Sequence, residues 1–422
     1  MKILYVSQYF PPEMGAPAGR VAGLSRLWAE DGHEITVLTG FPNHPSGIVP
    51  PEYRRKFRRL VTHDTDSGVN VVRTWLLPFP NRKAYERMLN YSSFCVSSAT
   101  TGVFLDQPDV VIATSPQLLV GLAGWWLARC KRVPFVFEVR DLWPESLAAV
   151  GVGSSNSLLY RSLARIAGFL YNNCDHVVVV TPAFKKYLIE RWRVPEEKIS
   201  VVENGVETSL FKSLPADLAL QRELRTDGKF VVSYIGTMGN AHGLETLLEA
   251  ASLLREKAPS VLFLLIGEGS EKEHLISLAR SRALVNLRFV DQQPREKIPA
   301  YISASDACLV LLKRTALFET VLPTKMLEFM ACARPVILGV DGHARQILGQ
   351  ANAGIFIQPE NPGQLAEAVM RLAADPALRE SLGHNGRQHI LQHFSRRRTA
   401  SIYLNVLQGL LREGQRHAAA AA

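Results

Sequence analysis

The sequence predicts an α/β protein built of two doubly wound, Rossmann-like domains in tandem, facing each other across a cleft. Short runs rich in Val, Ile and Leu alternate with helical patterns along almost the whole chain. The runs are nearly continuous in apolar residues, as strands of a parallel sheet covered on both faces require. The alternation lapses once, over 207–229, and restarts at Phe230. That break divides a first domain, 1–206, from a second, 207–395.

Strands in the first half are expected at Ile3–Ser7, Glu34–Thr39, Asn70–Thr74, Val110–Thr114, Phe135–Val139, His176–Thr181 and Ile199–Val202. Helices fit between them, for example at Gly19–Asp31 and Gln117–Arg129. The second half repeats the scheme with strands at Phe230–Ile235, Val261–Ile266, Leu287–Val290, Ala307–Leu312, Pro335–Val340 and Gly354–Ile357. Its helices fall at Leu244–Glu256, Glu271–Ala283 and Gln364–Ala374, and another opens near Pro323 and runs to about Ala333. A last helix, about 396–412, is expected to cross back onto the first domain.

Composition narrows the function classes. Of 422 residues, 47% are hydrophobic and 21% charged, an ordinary globular balance. Cys95, Cys130, Cys174, Cys308 and Cys332 are scattered, with no metal-ligand spacing, which fits a reduced, cytoplasmic setting. No metal site is expected, since the histidines are dispersed. The run Leu118–Ala128 is too short to span a bilayer, which takes about 20 residues. The net charge of +9 is locally concentrated, with Arg54, Arg55, Lys56, Arg58 and Arg59 within six residues and Arg73, Arg82, Lys83 and Arg87 following. Such a patch suits phosphates or an anionic membrane face, and equally a solvated surface. No nucleic-acid module accompanies it, and nucleic acid is not expected as a partner.

Ligands of doubly wound folds bind beyond the carboxyl ends of the strands, so the loops there carry the candidate sites. After the first strand, Gly15 and Gly19 allow close backbone approach near a helix start. Their spacing is not the dinucleotide fingerprint, and Thr39-Gly40 lacks the acid an NAD site places on the ribose. The loop Gly236-Thr237-Met238-Gly239-Asn240-Ala241-His242-Gly243 can turn N–H groups toward a phosphate or serve as a plain glycine turn, and Gly267-Glu268-Gly269 repeats the signal. Arg140-Asp141 ends a strand, as a cleft-facing pair or as a structural ion pair. The junction Pro323-Thr324-Lys325-Met326-Leu327-Glu328 joins a helix N-terminus to a lysine for phosphate and a carboxylate for sugar hydroxyls. The same residues also suit a plain helix start, with Thr324 as cap.

Together these stretches, with Asn204-Gly205-Val206 and Phe211, resemble the retaining GT-B glycosyltransferases of the group 1 (family 4) type, over about residues 1–405. Ser7–Glu13, Phe41-Pro42-Asn43-His44-Pro45 and Arg140–Glu145 further resemble the WbuB-type branch, which adds N-acetyl-fucosamine-like sugars during O-antigen or capsule assembly. The resemblance implies a UDP-sugar donor carrying an N-acetylated hexosamine or deoxyhexosamine. It implies a lipid-linked (polyprenyl diphosphate) saccharide acceptor, and no cofactor. It assigns the acceptor to the first domain and the donor to the second. It further implies a cytoplasmic enzyme, peripheral on the inner membrane face, with Arg54, Arg55, Lys56, Arg58, Arg59, Trp75, Arg82 and Lys83 toward membrane and acceptor. Donor binding would fall to Gly15, Gly236, Thr237, Gly239, Asn240, His242, Glu268, Thr320, Pro323, Thr324, Lys325 and Glu328, and catalysis to Asp141, Arg140 and Lys325.

Three departures bear on that transfer of roles. The family's first motif glutamate falls on Thr320, with Glu319 one place away. Its histidine before Asp141 is Arg140, and the usual Arg and Lys of the Gly236 loop are Thr237 and His242. Lys325, helped by Arg314 or Arg140, is then expected to meet the diphosphate. A non-hydrolysing UDP-N-acetylhexosamine 2-epimerase, which shares the fold, and a degenerate nucleotide-sugar-binding subunit are the alternatives.

Overall fold

Parallel pairing of the apolar runs organises the molecule. The computed structural model describes residues 1–421 apart from 14, 45, 81, 82, 146–156 and 216; Arg82 therefore lies outside the described residues. The chain forms two units, Met1–Asn204 with Arg396–Ala422, and Gly205–Ser395.

The first unit carries an eight-stranded sheet in the order β3-β4-β2-β1-β5-β6-β7-β8. Its strands are β1 (Lys2–Val6), β2 (Glu34–Gly40), β3 (Val61–Asp66), β4 (Val69–Thr74), β5 (Val110–Thr114), β6 (Phe135–Val139), β7 (His176–Val179) and β8 (Ile199–Val201). All neighbours run parallel except β3, which returns antiparallel on β4. The periodicity reading missed β3 because its residues, Val-Thr-His-Asp-Thr-Asp, are polar, as an edge strand allows. The helices are α1 (Ala16–Glu30), α2 (Pro51–Phe57), α3 (Ala84–Val103), α4 (Leu119–Lys131), α5 (Leu158–Asn173) and α6 (Pro182–Trp192).

The second unit holds six parallel strands in the order β11-β10-β9-β12-β13-β14. They are β9 (Phe230–Ile235), β10 (Val261–Ile266), β11 (Leu287–Val290), β12 (Ala307–Leu311), β13 (Val336–Gly339) and β14 (Gly354–Phe356). Its helices are α7 (Leu218–Glu223), α8 (Glu245–Lys257), α9 (Lys272–Ser281), α10 (Ile298–Ser303), α11 (Thr324–Ala331), α12 (His343–Ala351), α13 (Pro362–Ala374) and α14 (Pro376–His393). α7 lies inside the segment read as non-periodic, opened by Asp217, whose Oδ1 accepts from Ala219 and Leu220 N–H.

The last helix, α15 (Arg396–Ala421), extends past the expected residue 412 and packs on α1. Trp28 Nε1 donates to Ala400 O at 3.0 Å, and Arg397 pairs with Glu30 and Asp31. Beneath α1 lies a buried polar knot that strand periodicity could not reveal. Arg20 and Glu138 pair at 2.9 Å with both side chains enclosed, and Tyr5 Oη donates to Glu138 at 2.7 Å. Arg20 also donates to Val202 O, Glu203 O and Asn204 Oδ1, which fixes the segment where the chain leaves this unit. Burial alone would raise the Glu138 pKa. Arg20 and Arg140 outweigh it and hold the carboxyl below its usual range.

Each sheet has one place where the strand order reverses: between β1 and β5, and between β9 and β12. In doubly wound folds ligands bind in the crevice at such a point.

Candidate active site

In the second unit the loops after β9 and β12 flank the reversal. Lys313 N–H donates to Ala241 O at 2.9 Å and so ties the two loops together. Gly236 (φ 144°) must be glycine on conformational grounds. It is also where Lys325 arrives, since a Cβ built there would lie 2.5 Å from Lys325 Nζ. That ammonium is enclosed, has no hydrogen-bond partner, and sits 4.0 Å above the Tyr234 ring centroid. Burial lowers its pKa from 10.5 to about 7, with Glu328 opposing. The lysine is thus fixed and without a hydrogen-bond partner, and near pH 7 it is divided between its charged and neutral forms. Burial, and then Lys325 itself, lower the neighbouring His242 pKa to about 3. His242 is neutral at pH 7 and does not replace the family's missing lysine.

Part of this loop's backbone is already engaged within the protein. Gly236 N–H is taken by Ile266 O and Met238 N–H by Glu268 O, so neither is offered to a phosphate. Thr237 contributes its carbonyl to Tyr234 Oη at 2.6 Å. Asn240 Oδ1 receives Lys313 Nζ, and Gly239 opens the turn 240–242. A Cβ on Gly267 would overlap the Gly236 carbonyl, and one on Gly269 the Met238 carbonyl. Gly267-Glu268-Gly269 is therefore a buttress that lets two loops touch. The Glu268 side chain is held by Lys272, which also bridges to Asp291.

At the start of α11 the N-cap is Pro323, with no side-chain capping bond, and Thr324 is the first helical residue rather than the cap. The helix ends at Ala331, and Ala333 is left-handed (φ 55°). One turn inside, Glu328 pairs with Arg295 at 3.2 Å, and Arg295 stacks 4.9 Å over Phe211. Thr320 closes a short turn, its Oγ1 donating to Leu317 O at 2.6 Å. Glu319 instead lines a cavity of about 50 Å³ with Lys313, Arg314, Thr315, Phe318 and Asp341. The carboxylate that looked out of register is the one at open space.

In the first unit, the three stretches quoted for the narrower branch converge at the β1/β5 reversal. Glu13 Oε1 accepts from Asn43 and His44 N–H, both at 2.9 Å. Burial raises its pKa to about 7. The Tyr9 and His44 rings lie 5.2 Å apart, and Tyr91 meets Trp143 edge-on at 6.3 Å. Asn90 bridges Gln8, Asn43 and the Leu77 carbonyl. Ser115 Oγ accepts Arg140 N–H at 2.7 Å and Asp141 N–H at 3.3 Å. Burial raises the Asp141 pKa to about 6, with Arg140 opposing. Arg140 Nε and Nη1 are enclosed without hydrogen-bond partners. Gly15, at φ 131°, precedes α1, and a Cβ built there would meet nothing closer than Pro17 Cδ at 3.7 Å. Asn90, Tyr91, Ser115 and Arg295 were missed by sequence reasoning, and Glu13 was quoted only as the end of the stretch Ser7–Glu13, without a role. Only Glu13 carried a signal, as the single carboxylate in a loop between apolar residues.

The basic segment is only partly as expected. Arg54, Arg55, Arg58 and Arg59 are exposed on and just after α2, and Lys83 is exposed at the start of α3. Lys56 is held by Asp64 at 2.5 Å, and Arg54 Nε donates to Val49 O. Trp75 is not presented outward: it stacks on Phe57, which meets Phe41. Among the described residues, no group of three or more His, Cys, Asp and Glu could hold a metal ion, and no helix is long and apolar enough to cross a membrane.

Two family models match, one on each unit: "Glycosyl transferase 4-like domain" over residues 15–205 and "Glycosyl transferases group 1" over 217–389. The chain belongs to the group 1 glycosyltransferases. This glycosyltransferase is 26% identical over 385 residues to a putative colanic acid biosynthesis glycosyl transferase, WcaI, of Escherichia coli, with 87% of this chain and 91% of the relative covered. In structure it resembles sucrose-phosphate synthase of Thermosynechococcus elongatus (TM-score 0.76, 22% identity, 97% and 99% of the chains). It also resembles HepE of Anabaena solved with UDP-glucose (TM-score 0.72, 17% identity, 97% and 100%). These likenesses establish the GT-B fold.

Proposed function

We propose that this enzyme transfers a sugar from a UDP-sugar to a lipid-linked saccharide during surface polysaccharide assembly, with retention of configuration and no metal. The observation that carries the proposal is Lys325 Nζ, an enclosed cation without a hydrogen-bond partner, at the N-terminus of α11 and against Gly236. A site that keeps such a charge unpaired is complementary to an anion. The helix dipole adds to it, and the position is the switch point where a nucleotide belongs. That HepE was solved with UDP-glucose, and that WcaI is named for colanic acid biosynthesis, support donor and pathway class.

In this reading Glu328, oriented by Arg295, accepts the ribose hydroxyls, and the cavity beside Glu319 receives part of the donor sugar. The acceptor uses the polar crevice of the first unit, where Asp141, Arg140, Tyr91 and Trp143 surround the β1/β5 switch point. The bond from C1 to the phosphate oxygen breaks and its electron pair leaves with UDP. The acceptor oxygen bonds to C1 on the same face and its proton passes to the departing phosphate oxygen. Lys325 neutralises the charge that develops there. The finer reading, an N-acetyl-fucosamine-like sugar, rests on the three converging loop stretches of the first unit. The basic first unit would hold the enzyme at the inner membrane face.

Titration with UDP tests the donor seat. Wild type should bind, and Lys325→Ala should bind far more weakly; equal affinity would remove Lys325 from the diphosphate site. Product analysis without acceptor separates the transferase from an epimerase, which alone would convert the UDP-sugar.

A further inference from the structure

The side of the first sheet covered by α3, α4 and α5 presents a surface unlike an ordinary solvent face. α3 packs on α4 and α4 on α5, so their outer sides are contiguous. The 20-residue α3, about 30 Å long, carries no charged residue from Met88 onward. Its inward face is Asn90, Tyr91, Phe94, Ser98 and Gly102. Its exposed positions, Tyr85, Leu89, Ser92, Val96, Thr100 and Val103, recur at helical spacing and are all uncharged. A surface helix normally turns charged residues outward. Val96 is 64% exposed, and the next residue after the helix, Phe104, 88%. Trp126 of α4 and Leu159 and Phe169 of α5 continue the apolar surface, with Phe169 edge-on to Trp125 at 4.9 Å. The charges on the three helices are Arg87, Arg129, Lys131, Arg161 and Arg165 against one acid, Glu86, which is engaged with the N-cap of α3.

We infer that the outer face of α3, α4 and α5 is the surface by which this chain lies on an anionic lipid bilayer. Exposed aliphatic and aromatic groups enter the headgroup boundary, and the arginines meet lipid phosphates, the two signals that together give stable peripheral binding. The charge balance selects a lipid surface over a second copy of the chain, because two such faces would bring cations against cations. The inference rests on the membrane part of the proposed function but moves the contact: Trp75 is packed away, and α2 has charge without an exposed apolar face.

Vesicle flotation of the full chain tests it, using phosphatidylcholine alone and an equal mixture with phosphatidylglycerol. Wild type should float with the mixed vesicles and be released by high salt. The double variant Leu89→Asp/Val96→Asp should lose at least about tenfold in partitioning, with helical circular dichroism and melting unchanged because both side chains are exposed. Charge-neutral Leu89→Ser/Val96→Ser should lose binding as well, which separates lost apolar contact from added repulsion. Flotation of both variants at the wild-type level overturns the inference. If they float normally while Arg54→Gln/Arg55→Gln/Arg58→Gln/Arg59→Gln does not, the contact is α2 and the membrane reading survives without this surface. A dimer in solution that dissociates on Leu89→Asp/Val96→Asp, with no vesicle binding by wild type, overturns both. Sugar transfer to a detergent-solubilised acceptor is read separately, and its failure leaves the membrane result standing.

Discussion

Replacing Lys325 by methionine keeps the aliphatic stem over Tyr234 and removes the charge. The lowering of the lysine pKa from 10.5 to about 7 corresponds to about 5 kcal/mol, as an order of magnitude, for holding the ammonium at this buried position. The sign follows: the unfolded chain binds the proton more tightly, so stability of the ligand-free protein rises from pH 7 toward 10.5 as this cost disappears. A bound diphosphate offsets part of this cost by supplying a charge-assisted partner worth about 1.5–3 kcal/mol, which raises the lysine pKa above 7. Two results should appear in isothermal titration with UDP. Lys325→Met should weaken binding about tenfold to a hundredfold. Wild-type binding above pH 7 should take up a proton, visible as a heat that varies with the buffer's ionisation enthalpy, and affinity should fall as pH rises from 7 to 8.5. The phosphate of UDP titrates near pH 6, below that window. Unchanged affinity in the variant, or no proton uptake by wild type, would refute the argument.

Other consequences follow from the packing. Glu138→Gln should destabilise the first unit by about 3–5 kcal/mol in denaturant unfolding, because Arg20 is left as a buried charge without its counter-ion. Gly267→Ala places a methyl against the Gly236 carbonyl at φ 147° and should cost about 1–3 kcal/mol in the second unit. It should weaken UDP binding, whereas Gly349→Ala, which meets nothing within 4 Å, should do neither. Glu13 has a folded pKa raised from 4.5 to about 7, so its contribution is fully present below pH 4.5 and lost as pH rises through 7. Melting curves of Glu13→Gln should lack that decline, worth up to about 3 kcal/mol.

The central strands and their order along the chain were legible because buried parallel strands read as unbroken apolar runs. The β9 loop and the α11 junction were legible because their glycines, lysine and glutamate occupy family positions. What was hidden depends on pairing across the chain. Arg295 and Glu328 are far apart in sequence, and nothing local in either marks the ion pair. Glu138 sits in a strand whose other residues are apolar, and its partner Arg20 looks like an ordinary helix cation. Trp75 belongs to an apolar run whose period does not say which side faces Phe57. Glu319 and Thr320 were assigned by register with the family, whereas the short turn at 318–320 decides which side chain reaches open space. Of the three outer helices only α4 was read, for length and hydrophobicity, and the missing charge on α3 acquires meaning only once its exposed side is known.

The most direct test supplies purified enzyme with a panel of UDP-sugars and membrane-extracted polyprenyl diphosphate saccharides, then follows sugar into the lipid fraction with the anomeric configuration read by NMR. One UDP-sugar should label the lipid, release UDP in equal amount and retain its configuration, without added metal. Conversion of a UDP-sugar to its epimer without acceptor, or tight UDP binding with no transfer to any lipid, would contradict the account.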